Sequence, residues 1–258
     1  MATVEGASSA QLKSPREIEI MARGGAILYN TLQHMRKHVA PGITTGELDA
    51  LAEAFIRSHK GAEPAFKGLY GFPGSACISV NEEVVHGIPS RKRTLTNGDI
   101  VSLDVGVKYE GMYTDAAITV PVGGIDEPTE RLLDVTQRAL AAGIAAAIPE
   151  NHVGDIGAAI QAVVEGAGLA IVRELVGHGV GFSPHEELQI PNYGKPKRGK
   201  RLARGLTIAI EPMVNMGTAK TRTLSDKWTV VTQDGMRSAH FEHTVAVTDQ
   251  GPRILTIA

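Results

Sequence analysis

The chain contains one cysteine, Cys77, among its 258 residues. A single cysteine can form neither an internal disulfide nor a cysteine-based zinc site, which fits a protein of the reducing cytoplasm. The first 14 residues hold no charged segment followed by an apolar stretch, so we expect no secretory signal. These absences together predict a cytoplasmic location.

Long apolar runs and an excess of positive charge are also missing. The longest apolar segment, around residues 139–148, is far short of the roughly 20 residues that a membrane span requires. The net charge is -2, whereas general binders of nucleic acids or anionic membranes usually carry a clear excess of lysine and arginine. We therefore expect a soluble protein that binds no membrane and no specific nucleic-acid sequence.

Capping signals predict two helices near the start of the chain. Ser14 and Glu17 form a capping box around a proline at the first helical position, and an apolar stripe then continues towards Pro41. Thr44 opens a second helix, which closes near Gly61. Two helices are therefore expected before the first strands.

The second half of the chain repeats this arrangement. Helices are predicted from about residue 128 to 148 and from about 155 to 165, and several residues recur at offsets that agree within one residue. The matched positions are Pro41, Gly46 and Leu48 with Pro149, Gly154 and Ile156, and Gly98 and Asp104 with Gly205 and Glu211. Such agreement indicates an internal duplication.

The duplication predicts an α+β fold of two related halves, at about residues 14–122 and 123–258. Each half has two helices followed by a strand pair that carries two carboxylates. Packing the halves about a pseudo-two-fold axis would place the four carboxylates on one central sheet, with helices covering one face. Residues 1–13 are expected to form a flexible tail outside the single domain of residues 14–258.

Four acidic residues interrupt segments that otherwise read as buried strands: Asp104, Asp115, Glu211 and Glu242. An unpaired buried charge costs about several kcal/mol, and none of these segments contains lysine or arginine that could neutralise it. Polar core networks are one explanation, and bound cations are the one we favour. Together with His178, the carboxylates form a ligand set that divalent metals accept, and it is larger than one ion needs.

Five segments carry a resemblance to a known family: SACISVNEEVVHGIP, NGDIVSLDVGVKYEGMYTDAAITV, ELVGHGVGFSPHEE, LTIAIEPM, and DKWTVV with FEHTVAVT. They resemble the type I methionine aminopeptidases, whose fold is called pita-bread and has a central antiparallel sheet. The similarity covers nearly everything after about Ser14, and all five ligand positions are filled in family order. It implies a hydrolase, and more narrowly a metal-binding protease of the aminopeptidase class with one catalytic domain.

The resemblance assigns roles to the ligands. Asp104 would bind one metal ion, Asp115 and Glu242 would bridge two, and His178 with Glu211 would complete the second site. The cofactors implied are two divalent ions, Co, Mn, Fe or Zn. A water between them would attack the carbonyl that follows an N-terminal methionine, with Glu211 shuttling the proton.

The resemblance also implies a substrate pocket. His86 and His185 would be catalytic residues that donate hydrogen bonds to the peptide. Phe72, Cys77 and Trp228 would form an apolar cleft for the methionine side chain. The departures from the family's usual residues are Phe66, Leu69 and Pro184, so the exact pocket shape and relative substrate rates do not follow from it.

The function implied is co-translational N-terminal methionine excision from nascent polypeptides whose second residue is small. The partners would be nascent N-termini and the ribosome near its exit tunnel, and we expect a monomer. The segment from Lys195 to Arg204 holds six basic residues. It is either an ordinary solvated loop or a contact with ribosomal RNA.

Other functions compete with this interpretation. A proline-specific peptidase of the same fold usually has an additional N-terminal domain, and a non-catalytic binding protein of this fold would have lost metal ligands. The remaining histidines, His34, His38, His59, His152 and His240, are interpreted as ordinary exposed or core residues. His243, next to Glu242, is expected to support the metal ligands.

Overall fold

The structure is a computed structural model, and it describes residues 11–258. The four predicted α-helices are present, the first two beginning at their predicted caps and the other two within two residues of their predicted starts. They are α1 (Pro15–His38), α2 (Thr45–Arg57), α3 (Glu127–Ala145) and α4 (Val153–Gly166). At the start of α1, the Ser14 hydroxyl accepts the Glu17 N–H, while the Glu17 carboxylate accepts the Ser14 N–H at 2.7 Å. The same reciprocal box opens α2. Helix α3 ends at Ala145, a little before its predicted end.

The strands are short except where they cross the centre of the molecule. They are β1 (Ala62–Pro64), β2 (Ala76–Val80), β3 (Glu83–Val85), β4 (Ile100–Tyr109), β5 (Met112–Pro121), β6 (Ala170–Ile171), β7 (Gly177–Gly179), β8 (Glu186–Ile190), β9 (Thr207–Ile210), β10 (Met213–Asn215), β11 (Thr221–Thr223), β12 (Val230–Thr232), β13 (Ser238–His240), β14 (Glu242–Thr248) and β15 (Gly251–Ile254). A single turn of 3₁₀-helix spans Leu69–Gly71.

Nine of these strands form the central sheet. Its order is β1-β4-β5-β14-β9-β7-β8, with β2 added to β4 and β15 added to β14, and every pairing is antiparallel. Strands of the first half, β4 and β5, meet strands of the second half, β14 and β9, at the β5–β14 pair. The predicted α+β architecture with a central antiparallel sheet is confirmed.

Each half contributes its own apolar core on the helix-covered face. In the first half, Leu28 of α1 and Leu48 of α2 pack in one cluster with Leu103 of β4. In the second half, Ile160 of α4 packs in another cluster with Ile210 of β9. Because side chains alternate along a strand, the neighbours of these apolar residues point to the opposite, uncovered face. The division near residue 122 falls between β5 and α3, and as a duplication boundary it stays a prediction.

The predicted flexible tail covers residues 1–13, of which residues 1–10 lie outside the described part of the chain. Lys13 departs from that prediction, because its side chain is buried and its N–H donates to the Gly205 carbonyl at 2.7 Å. The packed chain therefore includes Lys13. No helix within residues 11–258 has the length and apolarity that crossing a membrane would need.

Candidate metal and substrate site

Strand register brings three of the predicted ligands to one face of the sheet. Asp104 of β4 and Glu242 of β14 both pair with Ala117 of β5, on opposite sides of that strand. Asp115 lies two residues before Ala117, so its side chain leaves β5 on the same face. Oxygen atoms of these three carboxylates lie within 4.8 Å of one another. This is the face that the helices leave uncovered.

His178 and Glu211 complete the cluster from β7 and from the end of β9. The Nδ1 atom of His178 lies 2.9 Å from the Gly179 carbonyl, so Nδ1 carries the proton and donates it there. The lone pair of Nε2 is thereby directed at the carboxylates, 3.5 Å from Glu211 Oε1 and 3.8 Å from Asp115 Oδ2. The structure thus brings all five predicted ligands together.

The electrostatics of the cluster fit bound cations. Burial, followed by repulsion from neighbouring carboxylates, raises the pKa of Asp115 and Glu242 well above the usual range. One oxygen of each of Asp104, Asp115 and Glu242 is buried without a hydrogen-bond partner among the described residues. Burial lowers the pKa of His178 to about 4, which leaves a neutral imidazole suited to metal binding. Divalent ions would satisfy the free oxygens and keep the carboxylates charged.

A cavity of about 500 Å³ opens directly above the carboxylate cluster. Phe72, Cys77 and Trp228 form part of its apolar wall, and the Phe72 ring meets the Trp228 ring edge-on with centroids 5.1 Å apart. Phe66 and Leu69 also line it. Pro184 is not one of the lining residues of this cavity. The cluster and the predicted methionine pocket therefore share one continuous space.

The two predicted substrate histidines flank this cavity. His86 is held in the left-handed region at φ 60°, a conformation that non-glycine residues adopt only when their surroundings enforce it. Its neighbour Gly87 packs so closely on β2 that an added Cβ would lie 2.3 Å from the Ile78 carbonyl oxygen. The His185 ring meets the His178 ring edge-on at 4.5 Å. Burial lowers the pKa of both His86 and His185, so both are neutral near pH 7.

His240 was wrongly interpreted as an ordinary histidine. Its ring is buried, and neither ring nitrogen has a hydrogen-bond partner among the described residues. The Nε2 atom lies 3.7 Å from Glu211 Oε2 and 3.8 Å from Glu242 Oε2, behind the carboxylates. Burial lowers its pKa to about 3, so it is neutral. Its position two residues before Glu242 in an extended segment was the available signal, because such residues share a face.

Two further side chains, those of His243 and Tyr70, differ from what the sequence indicated. His243 was expected to support the metal ligands, but strand alternation turns it to the helix-covered face, where its Nδ1 lies 2.8 Å from Thr256 Oγ1. Tyr70, which the sequence did not single out, stacks over the His185 ring with centroids 6.1 Å apart. It is 76% exposed and lines the cavity mouth. No local sequence pattern indicated that contact.

Comparison with known proteins identifies the family of the chain. A family model described as metallopeptidase family M24 matches residues 19–249. The chain is 51% identical to a methionine aminopeptidase of Clostridium perfringens over 246 residues, covering 95% of this chain and 98% of that protein. It is also 51% identical to methionine aminopeptidase 1 of Bacillus subtilis over 244 residues, with the same coverage of 95% and 98%.

Solved structures agree with these matches. The methionine aminopeptidase of Thermotoga maritima superposes with a TM-score of 0.94 at 44% identity, covering 96% of this chain and all of that one (100%). The prolidase of Pyrococcus furiosus, at 22% identity and a TM-score of 0.77, shares the fold alone, and 66% of that longer chain is matched. The chain belongs to metallopeptidase family M24, among the methionine aminopeptidases, and it is a hydrolase that depends on divalent metal.

Proposed function

We propose that the protein removes the N-terminal methionine from polypeptides whose second residue is small. The observation that carries this proposal is the shared space of the five-ligand cluster and the apolar pocket. A thioether side chain between Phe72, Cys77 and Trp228 would place its own peptide bond above the carboxylates.

The ligand arrangement suits two divalent ions of the Co, Mn, Fe or Zn type. The side chains that would hold these ions are Asp104, Asp115, His178, Glu211 and Glu242. When bound, such ions supply Lewis-acid activation of water near neutral pH. We assign both ions to this one cluster, because it contains more carboxylates than a single ion requires.

The protein's own groups then position the peptide and move the proton. Burial, and after it the nearby Asp104, raises the pKa of Glu211 well above its usual range, so its carboxylate is a stronger base than an exposed one. It is the residue that we assign to proton shuttling. His86 and His185, neutral and on the cavity wall, would donate hydrogen bonds to the peptide as negative charge develops on the carbonyl oxygen.

Selectivity for a small second residue follows from crowding around the scissile bond. His86, His185 and the carboxylate cluster all line the same cavity, and so does Tyr70, which stacks on His185. The side chain after methionine would have to fit among these groups. We therefore propose that glycine, alanine, serine, threonine, cysteine, proline and valine are accepted and that larger residues are excluded.

We further propose that the protein acts in the cytoplasm, as a monomer, on nascent chains at the ribosome. The basic segment 195–204 supports the ribosome contact, because its lysine and arginine residues are all exposed. Two of them are paired with exposed acidic residues: Arg204 with Asp249 at 2.9 Å, and Arg201 with Glu150. Such surface pairs are weak, so these arginines remain available to phosphate groups.

Release of free methionine from the peptide Met-Ala-Ser, before and after treatment with a chelator, tests the proposed activity. We expect release that stops on chelation and returns when a divalent ion is added back. Hydrolysis of an Ala-Pro dipeptide in place of Met-Ala-Ser would indicate a proline-specific peptidase. Hydrolysis of neither peptide by the metal-loaded protein would indicate a binding protein that retains the fold.

A further inference from the structure

Lys13, just before α1, is a buried cation close to the active site. Its side chain is 0% exposed, and the ammonium group uses all three of its hydrogen-bond donors. The Nζ atom donates to both carboxylate oxygens of Glu186 at 2.6 Å and to the Gln11 carbonyl at 2.9 Å. Within residues 11–258, Glu186 is its only ion-pair partner. Lysine side chains are almost never fully buried unless they are paired, so the burial of Lys13 indicates a structural or functional role.

Glu186 directly follows His185 and closes the loop that carries it. This loop, residues 180–185, connects β7 to β8, and Gly179 pairs with Glu186 at its base. The Glu186 carboxylate also accepts the Phe182 N–H at 3.0 Å, on the far side of the loop. Lys13 therefore holds the carboxylate of the residue that ends the loop, and the same carboxylate binds the loop backbone at Phe182.

His185 has no side-chain hydrogen bond of its own that would fix its ring within the described residues. Its side chain contacts the rings of His178 and Tyr70, and its carbonyl accepts the Ser183 hydroxyl at 2.9 Å. The position of the imidazole therefore depends on the backbone of the loop. The Lys13 side chain also packs directly against the loop, because a Cβ at Gly181 would lie 2.3 Å from Lys13 Cε. Any side chain at Gly181 would displace the lysine.

We propose that Lys13 is a positioning residue for His185, acting through its buried ion pair with Glu186. The segment before α1 thereby sets the geometry of the cavity wall from outside the metal cluster. This inference rests on the proposed function only in so far as His185 contacts the substrate. A misplacement of about 1 Å in such a group can lower kcat by about 10²-fold.

The test compares Lys13→Met with Lys13→Arg and with a matched control, Arg253→Met, which removes the exposed ion pair between Arg253 and Glu19 of α1. With Met-Ala-Ser as substrate, we expect Lys13→Met to lower kcat by about 10- to 100-fold while KM and metal content change little. Lys13→Arg should restore most of the activity, and Arg253→Met should behave as wild type.

Introducing Lys13→Met into the His185→Ala variant shows whether the loss of activity arises from a misplaced His185 or from a general disturbance of the fold. Because the positioned imidazole is already absent there, Lys13→Met should lower kcat by less than about twofold further. An equal loss in both backgrounds, or full activity of Lys13→Met alone, would overturn the proposal. If Lys13→Met does not fold, Glu186→Gln, which removes the charge and one of the two acceptor oxygens that Lys13 uses, takes its place with the same expectations.

Amide hydrogen exchange provides a measurement that does not depend on catalysis. The Phe182 amide should exchange at least about tenfold faster in Lys13→Met than in wild type, and its exchange should be unchanged in Arg253→Met. Unchanged exchange would show that Lys13 does not hold the loop, even if the protein proved not to release methionine. An inactive wild type with faster exchange in the variant would refute the proposed function and leave the loop contact intact.

Discussion

Replacing His185 by alanine distinguishes a substrate-binding residue from a metal ligand. The distinction is needed because a ring nitrogen of His185 lies within 4.8 Å of ligand atoms of Asp115 and His178, close enough for either role. In our account the imidazole donates a hydrogen bond to the developing oxyanion. Loss of one such donor costs about 2.7–4 kcal/mol of transition-state stabilisation, which corresponds to about 10²- to 10³-fold in kcat.

The assay combines steady-state kinetics on Met-Ala-Ser with metal content measured on the same protein. We expect His185→Ala to lower kcat by about 10²- to 10³-fold. The metal content should stay that of wild type, since the five assigned ligands are unchanged. His38→Ala is the matched control, because this exposed histidine on α1 interacts with the His34 carbonyl, away from the site. Loss of metal from His185→Ala would refute the assigned role and make His185 a ligand.

Three further predictions concern the carboxylates, the residue behind them and the basic surface. Glu242→Ala or Asp104→Ala should abolish peptidase activity and reduce bound metal in elemental analysis, because each removes a direct ligand; unchanged stoichiometry would contradict the two-ion assignment. His240→Leu should weaken metal affinity in calorimetry by about 10- to 100-fold. His240→Gln should weaken it less, because an amide keeps a polar group near Glu211 and Glu242 where leucine has none. Equal affinities would remove His240 from the site. Neutral residues at four positions of the basic segment should weaken ribosome co-sedimentation in a salt-dependent way and leave peptide hydrolysis unchanged. The four positions are Lys197, Arg198, Lys200 and Arg201.

The features that could be predicted from sequence are those with a local cause. The helix starts at Ser14 and Thr44 depend on hydrogen bonds between residues three positions apart, and both capping boxes are present. The four carboxylates proposed as metal ligands were recognisable because a charge in an apolar strand has few explanations, and antiparallel pairing then brings such residues to one face.

The features that were missed depend on contacts between distant segments. Lys13 appeared to be part of a mobile tail, because nothing near it in sequence reveals a partner 173 residues away. Tyr70 stacks on His185 across the cavity mouth for the same reason. His240 and His243 show a different failure, since strand alternation could have separated their faces. His243 was judged by its neighbour Glu242, and His240 was given the default interpretation of a lone histidine.

The central claim is that one cavity holds the methionine side chain and excludes a large residue after it. Comparing kcat/KM for Met-Ala-Ser and Met-Leu-Ser with the metal-loaded protein tests this claim most directly. Differences of a single methylene are worth only about 1–3 kcal/mol, and steric exclusion by His86, His185 and the metal ligands should discriminate more sharply than that. We predict ready cleavage of Met-Ala-Ser and almost none of Met-Leu-Ser. Comparable values for the two peptides would contradict the account and indicate a general aminopeptidase.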